Sequence, residues 1–146
     1  MKLMRYLPLM GLMFLTACAG EAQEEKAMDG TAQNVLESVY DDVSVEQFKE
    51  LMASMPEAQL LDVRTPGECA EGMIAGAQAM DIQGPDFSKS LELLNKELPV
   101  LVYCKSGGRS GRAMDMMEDM GFTKVFNLNG GITAWREAGE SVSTTD

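Results

Sequence analysis

One short apolar run constrains the fold more than any other segment of this chain. The run Pro99-Val100-Leu101-Val102-Tyr103 is typical of a strand that is covered on both faces. A loop with two glycines follows at residues 104–109, and the segment from Ser110 to Met120 then has the spacing of a helix. The order strand, tight loop, helix predicts an α/β arrangement in which residues 99–103 form the central strand.

Strands and helices alternate along the rest of the domain. The hydrophobic pattern predicts further strands at 39–43 (an edge strand), 59–63, 79–82 and 124–128. It predicts helices from the capping box of Ser44 and Gln47 to Pro56, and over 87–98, 110–120 and 132–138. A chain of 146 residues has room for one hydrophobic core. We therefore predict a single α/β domain at 35–142, with a mainly parallel central sheet, helices on both faces and a tail at 143–146.

The N-terminal segment has the three parts of an export signal. A positively charged start is followed by an apolar core at residues 6–15 and then by small residues. This core is shorter than the ~20 residues that a membrane-spanning helix needs. Leu15-Thr16-Ala17-Cys18 resembles the bacterial lipobox, which predicts a signal peptide at 1–17 and a lipid on Cys18. The alternative is cleavage after Ala19, which would leave a soluble periplasmic protein.

A lipid on Cys18 would anchor the protein in the cell envelope, facing the periplasm. Ala19 after the cysteine favours the outer membrane. Residues 18–34 are polar and acidic and predict a flexible linker. Removal of residues 1–17 would take away two of the 12 basic residues and none of the 23 acidic ones, so the net charge would fall from −11 to −13. Such a surface repels polyanions, so we predict no nucleic-acid partner and membrane contact through the lipid anchor alone.

The cysteine and histidine counts exclude several kinds of site. With Cys18 acylated, only Cys69 and Cys104 remain as thiols, which are too few for a disulfide framework. The chain has no histidine, and this excludes Cys–His pairs, Ser–His–Asp triads and the common His-based zinc sites. The methionines within 114–120 have helical spacing and favour apolar packing over a copper site. We predict neither a metal site nor a cofactor.

The loop after the central strand is suited to an ionised sulfur. Cys104 stands where a strand ends and a helix begins, and backbone N–H groups in such a loop favour negative charge. The expected nucleophile is therefore Cys104. The predicted anion-binding residues around it are Lys105, Ser106, Gly107, Gly108, Arg109 and Ser110.

Three segments in this order resemble the rhodanese family. They are Leu60 to Glu68, Cys104 to Ser110, and Gly130 to Gly139, and the resemblance covers about residues 36–142. It implies a single-domain sulfurtransferase, expected to be a monomer. Cys104 would take a sulfur from thiosulfate or a similar small sulfur-containing anion, or from a persulfide donor. It would carry this sulfur as a persulfide and pass it to cyanide or a thiol.

The resemblance also assigns supporting residues. Asp62 and Arg64 would border the active site, with Asp62 holding the loop backbone or Arg109 in place; the alternative is a structural ion pair. Trp135 is expected in the core. The chain departs from the family where Cys69 replaces an aromatic residue and where Met73 to Ala77 replaces His-Ile-Pro-Gly-Ala. Cys69 would be a small buried apolar side chain or, alternatively, would form a disulfide with Cys104.

Two other functions stay open at the level of sequence. The domain could be a non-catalytic binding or sulfur-carrier module, because a fold and a loop do not prove turnover. It could also resemble the related cysteine-dependent phosphatases and arsenate reductases. Their loops are one residue longer between the cysteine and the arginine, so the shorter loop here fits one sulfur better than a phosphate.

Overall fold

A five-stranded parallel sheet forms the centre of the domain. The computed structural model describes residues 37–144. The strands are β1 (Val39–Val43), β2 (Gln59–Asp62), β3 (Gln78–Ala79), β4 (Val100–Tyr103) and β5 (Lys124–Leu128). Their order in the sheet is β1-β5-β4-β2-β3, and all four pairings are parallel. The predicted α/β class is confirmed, with β4 in the centre and β1 at an edge.

Helices cover both faces of this sheet. They are α1 (Val45–Ser54), α2 (Pro66–Ala70), α3 (Phe87–Glu92), α4 (Gly108–Asp119) and α5 (Gly131–Glu137). One apolar cluster joins α3 and α4 to the sheet, and a second cluster joins α1 and α5 to it. The residues of β4 alternate between the two: Val100 and Val102 belong to the first, and Leu101 and Tyr103 to the second. All four are buried, which explains the continuous apolar run.

The predicted helix over 87–98 ends early, at Glu92. The side chain of Asn95 accepts a hydrogen bond from the backbone N–H of Glu97 at 3.0 Å, which forms a turn where the helix would have continued. The side-chain amide of Gln59 donates to the carbonyl of Asn95 at 2.8 Å and accepts from the backbone N–H of Asn95 at 3.0 Å. Leu93, the first residue after α3, is 88% exposed and so does not pack against the core.

Two further elements differ from the sequence prediction. The strand predicted at 79–82 is β3, which has only two residues, although the N–H groups of Met80 and Ile82 continue its hydrogen bonding to β2 and Val63. Helix α2 was not predicted. Thr65 caps it and accepts from the N–H of Glu68, while the Glu68 carboxylate accepts from the N–H of Thr65.

The N-terminal predictions lie outside the described residues. These are the signal peptide at 1–17, the lipid on Cys18 and the linker at 18–34. Within 37–144, none of the helices has the length and apolar character needed to cross a bilayer. Ser143, in the predicted tail, exchanges two backbone hydrogen bonds with Met73.

Candidate active site

The thiol of Cys104 lies at the carboxyl end of the central strand, under the loop that leads into α4. The residue is 1% exposed. Its Sγ accepts a hydrogen bond from the N–H of Gly107 at 3.1 Å and one from Oγ of Ser110 at 3.3 Å. Gly107 has φ +98°, a conformation that favours glycine, and it turns the chain into the 12-residue α4 so that the N–H groups of Ser106, Gly107 and Ser110 face the sulfur.

Burial opposes ionisation of this thiol, and hydrogen bonds outweigh the burial. The donors are the Ser110 hydroxyl and the backbone N–H groups of Ser110, Ser106 and Gly107. Together they hold the pKa of Cys104 below its usual value. The loop therefore stabilises a thiolate, the form of cysteine that acts as a nucleophile.

A second segment holds the loop from beneath. The N–H of Ile132 donates to the carbonyl of Cys104 at 2.9 Å, and Thr133 donates to the carbonyl of Lys105 through its N–H and its hydroxyl, at 3.1 and 2.8 Å. The backbones approach so closely that a Cβ at Gly131 would lie 2.4 Å from the oxygen of Cys104. Gly130 and Gly131 thus let the start of α5 pack closely against the loop that holds Cys104.

The outer side of the loop is open to solvent. Lys105, Ser106 and Gly108 are exposed, and Gly107 and Arg109 are half-buried. Among the described residues, Lys105 forms no ion pair. Its ammonium group is therefore available to an anion that approaches the sulfur from solvent.

The guanidinium of Arg109 is held by a carboxylate. Its two terminal nitrogens donate to the two carboxylate oxygens of Glu68 at 2.7 and 2.6 Å. The hydrogen bond from Arg109 is the main cause that lowers the pKa of Glu68 from 4.5 to about 2. Burial raises this pKa, and hydrogen bonds from Thr65 lower it further. Glu68 was not among the predicted site residues, although the spacing of Thr65 and Glu68 is the signature of a capping box.

Of the alternatives for Asp62, the structure has the ion pair, and Asp62 makes no hydrogen bond to Arg109. The Asp62 carboxylate instead binds Arg64, accepting from its backbone N–H, Nε and a terminal nitrogen at 2.6–3.1 Å. Arg64 also donates to the carbonyl of Gly72 at 2.8 Å and lies over the Tyr103 ring. Both charged side chains are buried. They form the structural ion pair, which fixes the end of β2 next to Cys104, while Glu68 makes the contact to Arg109.

The site is a cysteine at the end of the central parallel strand whose sulfur faces backbone and hydroxyl donors of Ser106, Gly107 and Ser110. The profile of the Rhodanese-like domain family matches residues 44–138. The chain belongs to the rhodanese-like family.

Curated and solved relatives agree with this assignment. The rhodanese-like chain is 34% identical to a sulfurtransferase of Allochromatium vinosum over 67% of its own length and 90% of the relative. It is 34% identical to the thiosulfate sulfurtransferase GlpE of Stutzerimonas stutzeri over 54% of its own length and 71% of the relative. The polysulfide-sulfur transferase homodimer of Wolinella succinogenes superposes with a TM-score of 0.62 at 27% identity, over 73% of this chain and 80% of that one.

Two of the positions at which this rhodanese-like chain departs from the family pattern, Cys69 and Met73, are buried, whereas Ala75 is exposed. Cys69 is a free, buried thiol, and burial followed by the charge of Asp62 raises its pKa to about 11. It has the properties of a small apolar side chain, and a disulfide with Cys104 stays a prediction. Trp135 packs edge-on against Phe48 in the core, as expected. Within 37–144, no group of three or more His, Cys, Asp and Glu side chains could hold a metal ion.

The close approach beneath the loop predicts unequal effects of two glycine substitutions. Gly131 and Gly139 both have positive φ, but a Cβ at Gly139 would meet nothing within 4 Å. We expect Gly139→Ala to lower the free energy of unfolding by about 1–2 kcal/mol and Gly131→Ala to lower it by about 2–5 kcal/mol. Only Gly131→Ala should also slow alkylation of Cys104. Urea unfolding and iodoacetamide kinetics measure both; equal effects of the two substitutions would contradict the contact.

The ion pair of Glu68 and Arg109 predicts a stability difference that depends on pH. Glu68→Gln keeps an oxygen for the Thr65 cap and removes the charge. Because the folded-state pKa of Glu68 is lowered, its carboxylate stabilises the fold above pH 4.5, and this stabilisation is lost as the pH falls to about 2. The wild type should exceed Glu68→Gln by about 1–2 kcal/mol at neutral pH. Denaturant titrations at several pH values test this.

Glu71→Gln is the matched control for this titration. Glu71 caps the same short helix, is exposed and forms no ion pair within 37–144. Its variant should track the wild type across the pH range, and a wild-type advantage over Glu68→Gln that does not shrink in acid would refute the linkage.

Proposed function

We propose that this protein is an exported sulfurtransferase in which Cys104 carries the transferred sulfur as a persulfide. The observation that carries the proposal is the set of donors around Cys104 Sγ, which stabilises an anion on a side chain that is 1% exposed. The thiolate attacks the outer sulfur of the donor, and the donor's remaining group leaves with the electrons of the broken bond. With thiosulfate as donor, sulfite leaves. An acceptor nucleophile then attacks the outer sulfur and releases the Cys104 thiolate.

The same loop suits both halves of the reaction. A persulfide is an anion one atom longer than the thiolate, and the loop above the buried sulfur has exposed residues at Ser106 and Gly108. Lys105 is the free cation at this opening among the described residues, because Glu68 neutralises Arg109. We propose a small sulfur-containing anion, such as thiosulfate, or a persulfide as donor, and cyanide or a thiol as acceptor. The names of the relatives from Stutzerimonas stutzeri and Wolinella succinogenes support donors of this class.

Intact mass after exposure to thiosulfate tests the proposal. The full chain should gain the mass of one sulfur atom and lose it when cyanide is added. Cys104→Ala should gain nothing, whereas Cys69→Ala, which removes the other described thiol, should behave as the wild type. A protein that gains no sulfur from thiosulfate, polysulfide or a low-molecular-weight persulfide is not a sulfurtransferase of this kind. Aryl phosphate hydrolysis that Cys104→Ser abolishes would instead support the phosphatase alternative.

We further propose that the mature protein is a lipid-anchored monomer facing the periplasm. The support is the lipobox-like Leu15 to Cys18 after a short apolar core, with the acidic linker at 18–34 as a spacer between membrane and domain. We propose no polyanionic partner, because a chain with a net charge of −11 repels polyanions.

Fractionation of two cysteine variants tests the anchor. Wild type and Cys69→Ser should pellet with membranes and carry the mass of a lipid on the N-terminal cysteine. Cys18→Ser should lack that mass and should no longer be processed as a lipoprotein. A wild-type protein that is soluble in the periplasm and begins after Ala19 would show the alternative cleavage instead.

A further inference from the structure

Asn127 is a buried polar side chain to which neither the fold nor the reaction has so far given a role. Four buried side chains among residues 37–144 are polar or charged: Asp62, Arg64, Ser110 and Asn127. The first two pair with each other, and Ser110 touches the reacting sulfur. Asn127 is 4% exposed and lies on β5, between Asp42 of β1 and Val102 of β4 in the sheet register.

The orientation of the Asn127 amide is fixed by two acceptors. Nδ2 donates to Oδ1 of Asp42 at 2.6 Å and to the carbonyl of Gly107 at 3.2 Å. Turned the other way, the amide would present its oxygen to both of these oxygens. The observed orientation leaves Oδ1 buried without a donor among the described residues, which is an energetic penalty. The contacts of Nδ2 must outweigh this penalty.

The carbonyl of Gly107 receives more donors than it can accept well. The N–H of Gly111 reaches it at 2.9 Å, Oγ of Ser110 at 3.1 Å and Nδ2 of Asn127 at 3.2 Å. A carbonyl oxygen has two lone pairs, and the hydroxyl of Ser110 has one hydrogen. That hydrogen has a second acceptor, Sγ of Cys104, at 3.3 Å. If Gly111 and Asn127 fill the carbonyl, the Ser110 hydrogen is left for the sulfur.

We propose that Asn127 is a positioning residue that occupies the Gly107 carbonyl and thereby commits the Ser110 hydroxyl to the Cys104 thiolate. Asp42 holds the second hydrogen of the amide and so keeps the first one on Gly107. Without Asn127, a lone pair of the carbonyl is free, the Ser110 hydroxyl turns towards it, and the thiolate loses one donor. The inference deepens the proposed function, because it concerns the ionisation of the same sulfur.

The test is the pH dependence of Cys104 alkylation by iodoacetamide in the full chain, with the labelled cysteine identified by peptide mass. No sulfur donor is present, so failure of this inference and failure of sulfur transfer are separate results. Asn127→Leu should slow alkylation at neutral pH by about tenfold, the effect of one hydrogen bond to a charged group, and move the profile to higher pH. Ser110→Ala should do the same. Asn129→Ala, which changes an exposed asparagine beside the same loop, should leave the profile unchanged.

The double variant separates positioning from general damage. Because Asn127 acts through Ser110, Asn127→Leu in the Ser110→Ala background should slow alkylation no further. An unchanged profile in a folded Asn127→Leu protein overturns the inference, and so do independent, multiplying effects of the two substitutions.

A second variant keeps the test decisive if Asn127→Leu does not fold. Asp42 is exposed, so Asp42→Ala should be tolerated. Loss of its negative charge alone would favour ionisation of the thiol and speed alkylation. The proposal expects the opposite sign, a slowing of about threefold, because the amide loses its anchor. Unchanged or faster alkylation of Asp42→Ala overturns it.

The charged and titratable side chains on the elements around the thiol are otherwise constant across these variants. Lys105 lies on the loop after Cys104, Arg109 on α4 and Tyr103 on β4. Asp62 ends β2, Glu68 and Cys69 lie on α2, and Arg64 lies between these two elements.

Discussion

The structure is organised around the need to keep a negative sulfur stable where water hardly reaches it. Burial alone would make Cys104 a weak acid, and only donors aimed at the sulfur reverse this. A loop that turns its N–H groups inward must turn its carbonyls elsewhere. The carbonyls of Cys104 and Lys105 meet the N–H groups of Ile132 and Thr133 at the start of α5. This contact leaves no room for a Cβ at Gly131, so the chemistry at one residue determines the side chain of another nearly thirty positions later.

The charges at this edge of the sheet are mostly compensated. Asp62 and Arg64 neutralise each other in the interior, and Glu68 neutralises Arg109 closer to the surface. A buried pair with full hydrogen bonding holds backbone segments in place more than it adds stability. The thiolate is stabilised mainly by the hydrogen bonds of its loop, and Arg109, although paired with Glu68, also interacts with it. The part of this stabilisation that comes from hydrogen bonds should change little with ionic strength, because these donors carry no net charge.

Sequence reasoning predicted the elements whose physical cause is local. The apolar run of β4, the capping box of Ser44 and the glycines around Cys104 each have a signature within a few residues, and the structure has these elements close to the predicted places. The end of α3 was wrong because it depends on Gln59, 36 residues away from Asn95. The alternatives for Asp62 stayed open because strand order does not show which of two nearby carboxylates, Asp62 or Glu68, reaches the guanidinium of Arg109. No sequence pattern marks Asn127 as part of the site. It stands in a short strand, and its proposed role arises because Gly111, Ser110 and Asn127 all donate to the carbonyl of Gly107.

The ends of the sheet have a consequence for how the protein behaves at high concentration. Within residues 37–144, one outer strand of the sheet is β3, only two residues long, and the other is β1, whose Asp41 and Asp42 are exposed. Short and acidic edges are poor templates for strands of another molecule, because few backbone groups are free to pair and like charges repel. A sheet with such edges can be all-parallel and still resist edge-to-edge aggregation when many copies of the protein are crowded together.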